Sequence, residues 1–215
     1  MSRPIRIDFV SDVSCPWCII GLRGLEIALE RMGDAVEADL HFQPFELNPA
    51  MAPEGENIVE HIGRKYGASP EQSAANRATI RERAAAVGFT MAMGDDARIY
   101  NSFDAHRLLH WAGIEGRQAE LKHALFDSYF TRGEDISNPD ILIGAVVRAG
   151  LPEAEARAIL ASDRHANEVR EAERQWQGKG IQSVPAIVID NRYLISGGQP
   201  PEAFEQALRQ IAAEA

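Results

Sequence analysis

Apolar residues along this chain follow two patterns: short strand-like runs near both ends and helical spacings through the middle. The run Ile5-Arg6-Ile7-Asp8-Phe9-Val10 predicts a first strand over about 6–10. A helix over about 16–31 follows, with Ile20, Leu25, Ile27, Ala28 and Leu29 on its apolar side and Gly33 just past its end. Alternation at Leu40 and Phe42 then predicts a second strand ending near Pro44, and this β-α-β start should be parallel and right-handed.

From about 48 to 177 the pattern turns almost wholly helical. Ser69-Pro70-Glu71-Gln72 is a capping-box signature that opens a helix running to about Val87. Further helices are expected over about 102–111, 117–130, from Asn138 to Ala149, 153–160 and 164–176. The β pattern returns at 181–189. Asp190-Asn191 is a two-residue hairpin signal before a strand over 192–195, and Phe204, Ala207, Leu208 and Ile211 form one face of a last helix. The order is β-α-β, a helical block, then β-β-α. This divides the chain into one α/β domain from residues 1–47 and 178–215, and an inserted helical domain over 48–177.

The first loop carries the chemistry. The chain's two cysteines, Cys15 and Cys18, stand three apart in Ser14-Cys15-Pro16-Trp17-Cys18, directly after the first strand. Cys-x-x-Cys at a helix start is a short loop that closes a reversible disulfide. Cys15 falls at the N-cap and Pro16 at the first helical position, so the unpaired N–H groups of the first turn favour an anionic Cys15 sulfur. Cys15 is therefore expected to be the exposed attacking thiol, and Cys18, one turn inside the helix, the buried resolving thiol. His106 and His110, at i and i+4, could complete a Cys₂His₂ set, but most such pairs only line a helix face, and no metal is expected.

Composition narrows the partners. A net charge of −10 argues against nucleic acid or an anionic membrane surface. No apolar run approaches the roughly 18 residues of a membrane span. The residues from Met1 onward run into the first strand with no signal-like apolar region, which leads to the expectation of a cytoplasmic protein. In a reducing compartment a cysteine pair is more often catalytic or metal-binding than a structural staple.

The element order, with Cys-x-x-Cys opening the first helix and Val184-Pro185 opening the third strand, resembles the thioredoxin superfamily. More closely it resembles the DsbA-like branch, a thioredoxin fold with a large all-helical insertion between the second and third strands. Ser11 to Cys18, Asn101, Ala105-His106-Arg107-Leu108, Ser183-Val184-Pro185 and Gly197-Gly198-Gln199-Pro200 are similar to the FrnE-type proteins. The 2-hydroxychromene-2-carboxylate isomerases and kappa-class glutathione transferases share this layout, usually with serine where this chain has Cys15.

The resemblance implies a protein disulfide oxidoreductase exchanging disulfides with protein or small-thiol substrates. It implies no tightly bound cofactor, with glutathione as a co-substrate. A glutathione-dependent isomerase or transferase is the alternative. The resemblance also implies that Pro185 is cis and packs on the cysteines, and that the Val184 backbone receives an incoming chain. Asp8 is the candidate buried acid beneath Cys18, with Asp12 competing. Pro16, Trp17, His106 and Asn48 are candidates for the substrate rim. The inserted block is expected to cover the active-site face and to move relative to the first domain.

Overall fold

The computed structural model describes residues 4–214. The chain opens with β1 (Ile5–Ser11), α1 (Pro16–Met32) and β2 (Ala38–Pro44). β1 and β2 pair in parallel, as the β-α-β pattern requires. The main sheet closes with β5 (Ala186–Ile189) and β6 (Tyr193–Ser196) in the order β2-β1-β5-β6, with β5 antiparallel to both β1 and β6. Asp190 and Asn191 both take positive φ, 48° and 54°, which is the two-residue primed turn that a tight hairpin favours. α9 (Pro201–Ala213) then packs beside α1. This is a thioredoxin fold, and the stretch between β2 and β5 is its helical insertion.

The insertion contains α2 (Ile58–Tyr66), α3 (Pro70–Ala86), α4 (Phe103–Ile114), α5 (Gln118–Phe126), α6 (Pro139–Arg148), α7 (Glu153–Leu160) and α8 (Ala166–Gly178). The capping box at Ser69 and Gln72 is formed, and Asn138 caps α6 through the Asp140 N–H at 2.9 Å. Two features depart from the all-helical expectation. A short antiparallel ribbon joins β3 (Glu56–Asn57) to β4 (Arg98–Ile99). The helix expected over 117–130 ends as α-helix at Phe126 and continues as a π turn over Asp127–Thr131, along which Ser128, Tyr129 and Phe130 are buried.

Sheet and insertion share one apolar core. Ile7 and Phe9 of β1 belong to the same packed cluster as Leu22 and Leu25 of α1, Leu108 of α4, and Leu121 and Phe126 of α5. Val10 faces the opposite side of the sheet, against Phe45, Trp176 and Ile181. The insertion also covers the free edge of β2. Gln118 accepts from the Phe42 N–H at 3.0 Å and donates to the Phe42 carbonyl at 3.1 Å, standing in for a missing strand. This packing brings α4 and α5 next to the cysteine loop.

Candidate functional site

The cysteine loop is shaped by Asp12. Its Oδ1 accepts from the Ser14 N–H at 3.1 Å and its Oδ2 from the Leu47 N–H at 2.7 Å, while its carbonyl accepts from the Cys15 N–H. The chain thus turns directly from β1 into α1, with Cys15 as N-cap in an extended conformation and Pro16 in the first turn. The Cys15 side chain makes no cap bond to the helix. Its sulfur instead lies against the Val184 carbonyl, at 3.6 Å. Val184–Pro185 is a cis peptide bond. Both cysteines are free thiols.

Cys15 is 3% exposed and Cys18 0%, so Cys15, expected to be the exposed thiol, is far less open than its place at the helix start suggests. Trp17, at 36%, is the exposed member of the motif. Burial pushes the Cys18 thiol well above its ordinary range, and its bond to the Cys15 sulfur adds to this. The Lys122 charge and the Asp12 backbone N–H pull the other way without overcoming it. Cys18 is therefore held as the protonated thiol near neutral pH.

Close backbone approach fixes the first turns of α1. A Cβ on Gly21 would lie 3.2 Å from both the Gly198 Cα and the Pro185 Cγ, and one on Gly198 would come within 2.7 Å of the Trp17 carbonyl oxygen. The loop at 197–198 and the start of β5 thus clamp the first turns of α1. Gly198→Ala should push the loop off Trp17, destabilise the fold by about 1–3 kcal/mol and change thiol reactivity. Denaturant unfolding and the alkylation rate of Cys15 measure the two effects; an unchanged rate with normal stability would contradict the clamp.

Behind the cysteines lies a buried charged cluster supplied largely by the insertion. Asp12, His106 and Lys122 are all almost fully buried. Burial alone would raise the Asp12 carboxyl. The His106 ring, and then the Leu47 and Ser14 N–H groups, outweigh it and hold Asp12 down at about 2. His106 Nε2 stands 3.6 Å from Asp12 Oδ1, too long for a hydrogen bond. It has no hydrogen-bond partner among the described residues. Lys122 is lowered to about 8 by burial, against the pull of Cys18, Asp12 and Cys15. Its Nζ lies 5.0 Å from the Phe126 ring centroid and 6.0 Å from that of Phe42. Tyr129 is raised by burial and donates its hydroxyl to the Arg98 carbonyl at 3.0 Å.

The Asp12 shift has a direct consequence for acid stability. A carboxyl held lower in the fold than in the unfolded chain contributes stability that is complete above the unfolded value. That contribution is lost as pH falls toward about 2. Asp12→Asn should remove about 2 kcal/mol at neutral pH and flatten the unfolding midpoint between about pH 4 and 2. Midpoints measured across that range test this, and parallel curves for the two proteins would contradict it.

The other expected residues are placed differently. Asp8 alternates to the Val10 side of β1, away from α1, whose Gly21 lies near Phe9. Its carboxylate is taken by Arg6, at 2.7 and 2.9 Å, and by Gln43 at 2.7 Å. Asp12, not Asp8, is the acid beside the cysteines. Asn48 accepts from Lys65 Nζ at 2.7 Å, and Asn101 caps the Phe103 N–H. His110 stacks on His165 at 5.0 Å between centroids while His106 turns to Asp12. Among the described residues no group of three or more His, Cys, Asp or Glu could hold a metal ion.

Fold and site together define a DsbA-like oxidoreductase, a class in which a thioredoxin domain carries a helical insertion beside its cysteine motif. The chain belongs to the DSBA-like thioredoxin domain family, whose model matches residues 6–209. It is 36% identical to a probable DsbA oxidoreductase from Streptomyces coelicolor, covering 98% of this chain and 91% of that one, with a TM-score of 0.90. It is 23% identical to the uncharacterized protein YwbO of Bacillus subtilis over 95% of this chain and 96% of that protein. The cytosolic disulfide reductase DsbM of Pseudomonas aeruginosa, solved with GSH, shares the fold at 15% identity, covering 95% of this chain and 98% of that one, with a TM-score of 0.64. No helix among the described residues is long and apolar enough to cross a membrane.

Proposed function

We propose that this protein is a thiol–disulfide oxidoreductase acting on protein or small-molecule disulfides and thiols through Cys15 and Cys18. One observation carries the reading. Cys15 caps α1 with its sulfur against the carbonyl of the cis Val184–Pro185 bond, and Cys18 sits fully buried one turn behind it. In reduction, the Cys15 thiolate attacks one sulfur of a substrate disulfide, and the other sulfur leaves as a thiolate with the electron pair of the broken bond. Cys18 then attacks the Cys15 sulfur, closing the intramolecular disulfide and releasing the second substrate thiol. Oxidation of a substrate dithiol is the same path reversed.

Exposed Trp17 with the half-buried Pro16 and Val184 forms the rim where a substrate strand would lie, and His106 acts from beneath through Asp12. The chemistry needs no tightly bound cofactor. Glutathione enters as a co-substrate that reduces the Cys15–Cys18 disulfide, in keeping with a cytoplasmic role. Alkylation of the reduced protein with limiting reagent near neutral pH should modify Cys15 first, since Cys18 is both inaccessible and held protonated. Peptide mapping that finds Cys18 labelled first would reverse these roles.

A further inference from the structure

We propose that the cavity beside the edge of β2 binds a small organic acid, a carboxylate carrying an apolar body, at a site apart from the cysteine motif. The cavity holds about 500 Å³, a volume typical of small-molecule pockets. It lies between β2, α4, α5 and α8, and none of Cys15, Pro16, Trp17, Cys18 or Val184 lines it. Phe42, His106, Leu109 and Lys122 are buried and form its floor, while the exposed Ile114 and Ala119 stand at its mouth.

Most polar groups around the cavity already have partners. Gln118 is bonded to the Phe42 backbone and to the Leu109 carbonyl. Gln43 donates to Asp8, His41 pairs with Asp39, and His110 stacks on His165. Glu120, the one carboxylate among the described lining residues, is exposed and accepts from Arg117 at 2.8 Å. Two groups on the floor remain. His106 Nε2 is buried without a hydrogen-bond partner. The Lys122 ammonium, among the described residues, has neither a hydrogen bond nor an ion pair.

Lys122 is the anchor. Its neighbours are the rings of Phe42 and Phe126, and Asp12 attracts it from beyond ion-pair distance. An ammonium buried without an anion destabilises a fold, and an apolar side chain of the same length would pack there with no such penalty. What Lys122 lacks is a negative group, and the cavity it lines is the open approach for one. A carboxylate entering past Ile114 would complete the charge pair, with its apolar body against Leu40, Phe42 and Leu109. A cation would be repelled there, and a neutral molecule would leave the ammonium unpaired.

The test is calorimetric titration of the reduced full chain near neutral pH with naphthoate, naphthamide and acetate. Naphthoate should bind at least about 10-fold more tightly than naphthamide, which lacks the charge, and than acetate, which lacks the body. Lys122→Met should weaken naphthoate by about 10–100-fold and unfold at no lower temperature than wild type. A merely structural lysine would show the reverse, earlier unfolding with binding intact. Ala119→Trp, at the exposed mouth, should obstruct entry and weaken naphthoate by a similar factor; it decides the matter if Lys122→Met fails to fold. Cys15→Ser should bind naphthoate as wild type does. No binding of naphthoate, equal binding of naphthamide or acetate, naphthoate unaffected by Lys122→Met or by Ala119→Trp, or naphthoate lost in Cys15→Ser would each overturn the proposal.

Discussion

Cys15→Ser should abolish disulfide exchange, with turnover of a protein disulfide falling by at least about 10³-fold, or roughly 4 kcal/mol of barrier. The serine hydroxyl is not ionised at neutral pH and cannot form the mixed disulfide. The fold should survive, because Cys15 makes no cap bond to α1 and the contacts of its sulfur, to the Val184 carbonyl and the Cys18 thiol, are ones a hydroxyl can also make. Cys18→Ser should behave differently. Attack by Cys15 proceeds, but the adduct has no internal thiol to resolve it, so covalent complexes accumulate and turnover depends on external thiol. A glutathione-dependent isomerase or transferase would retain activity in Cys18→Ser and could tolerate Cys15→Ser, since bound glutathione supplies its sulfur. Full reductase turnover in Cys15→Ser, or no adduct in Cys18→Ser, would favour that alternative.

The largest structural effect is expected at Arg107. It is buried on α4 beside His106, and its guanidinium donates to the carbonyls of Ile159 at 2.5 Å, Arg164 at 2.9 Å and Ser162, as well as to Asp104 at 2.8 Å. One side chain thus ties three carbonyls around the connection between α7 and α8 to α4. Arg107→Leu takes the guanidinium from the Arg164 and Ser162 carbonyls, while that of Ile159 keeps the Ser162 N–H and hydroxyl, for a loss of about 3 kcal/mol. In a chain of this size that lowers the melting temperature by roughly 10 °C. A loss below about 1 kcal/mol would show that the connection is held by other contacts.

The parts of this molecule that were legible in the sequence are those whose causes are local. Cys-Pro at a helix start, Ser69 with Gln72, and Asp190-Asn191 each act within a few residues, and each appears in the structure as its chemistry requires. α2 left little trace because it is nine residues long and its stripe of Ile58, Val59 and Ile62 is only half-buried, so it leans on the Asn57 cap and Gly67; only His61 is buried along it. The burial of Asp12 depends on Leu47 and His106, which the fold brings in from elsewhere, so its place over Asp8 could not be read from spacing alone. Lys122 did leave a signal. Positions 122, 125, 126, 129 and 130 form one helical stripe, and a lysine among Leu125, Phe126, Tyr129 and Phe130 marks a buried cation. What the stripe packs against follows only from the fold, which buries it in the core shared by the sheet and the insertion.

The central claim is that Cys15 and Cys18 act as one two-electron unit. It is tested most directly by equilibrating the protein in glutathione buffers of stepped redox ratio, quenching with acid and weighing the intact chain. The expected result is a single transition, from the dithiol to a species lighter by two hydrogens, in which peptide mapping joins Cys15 to Cys18. A chain that instead carries glutathione on Cys15 across the range, with Cys18 still a free thiol, would contradict it.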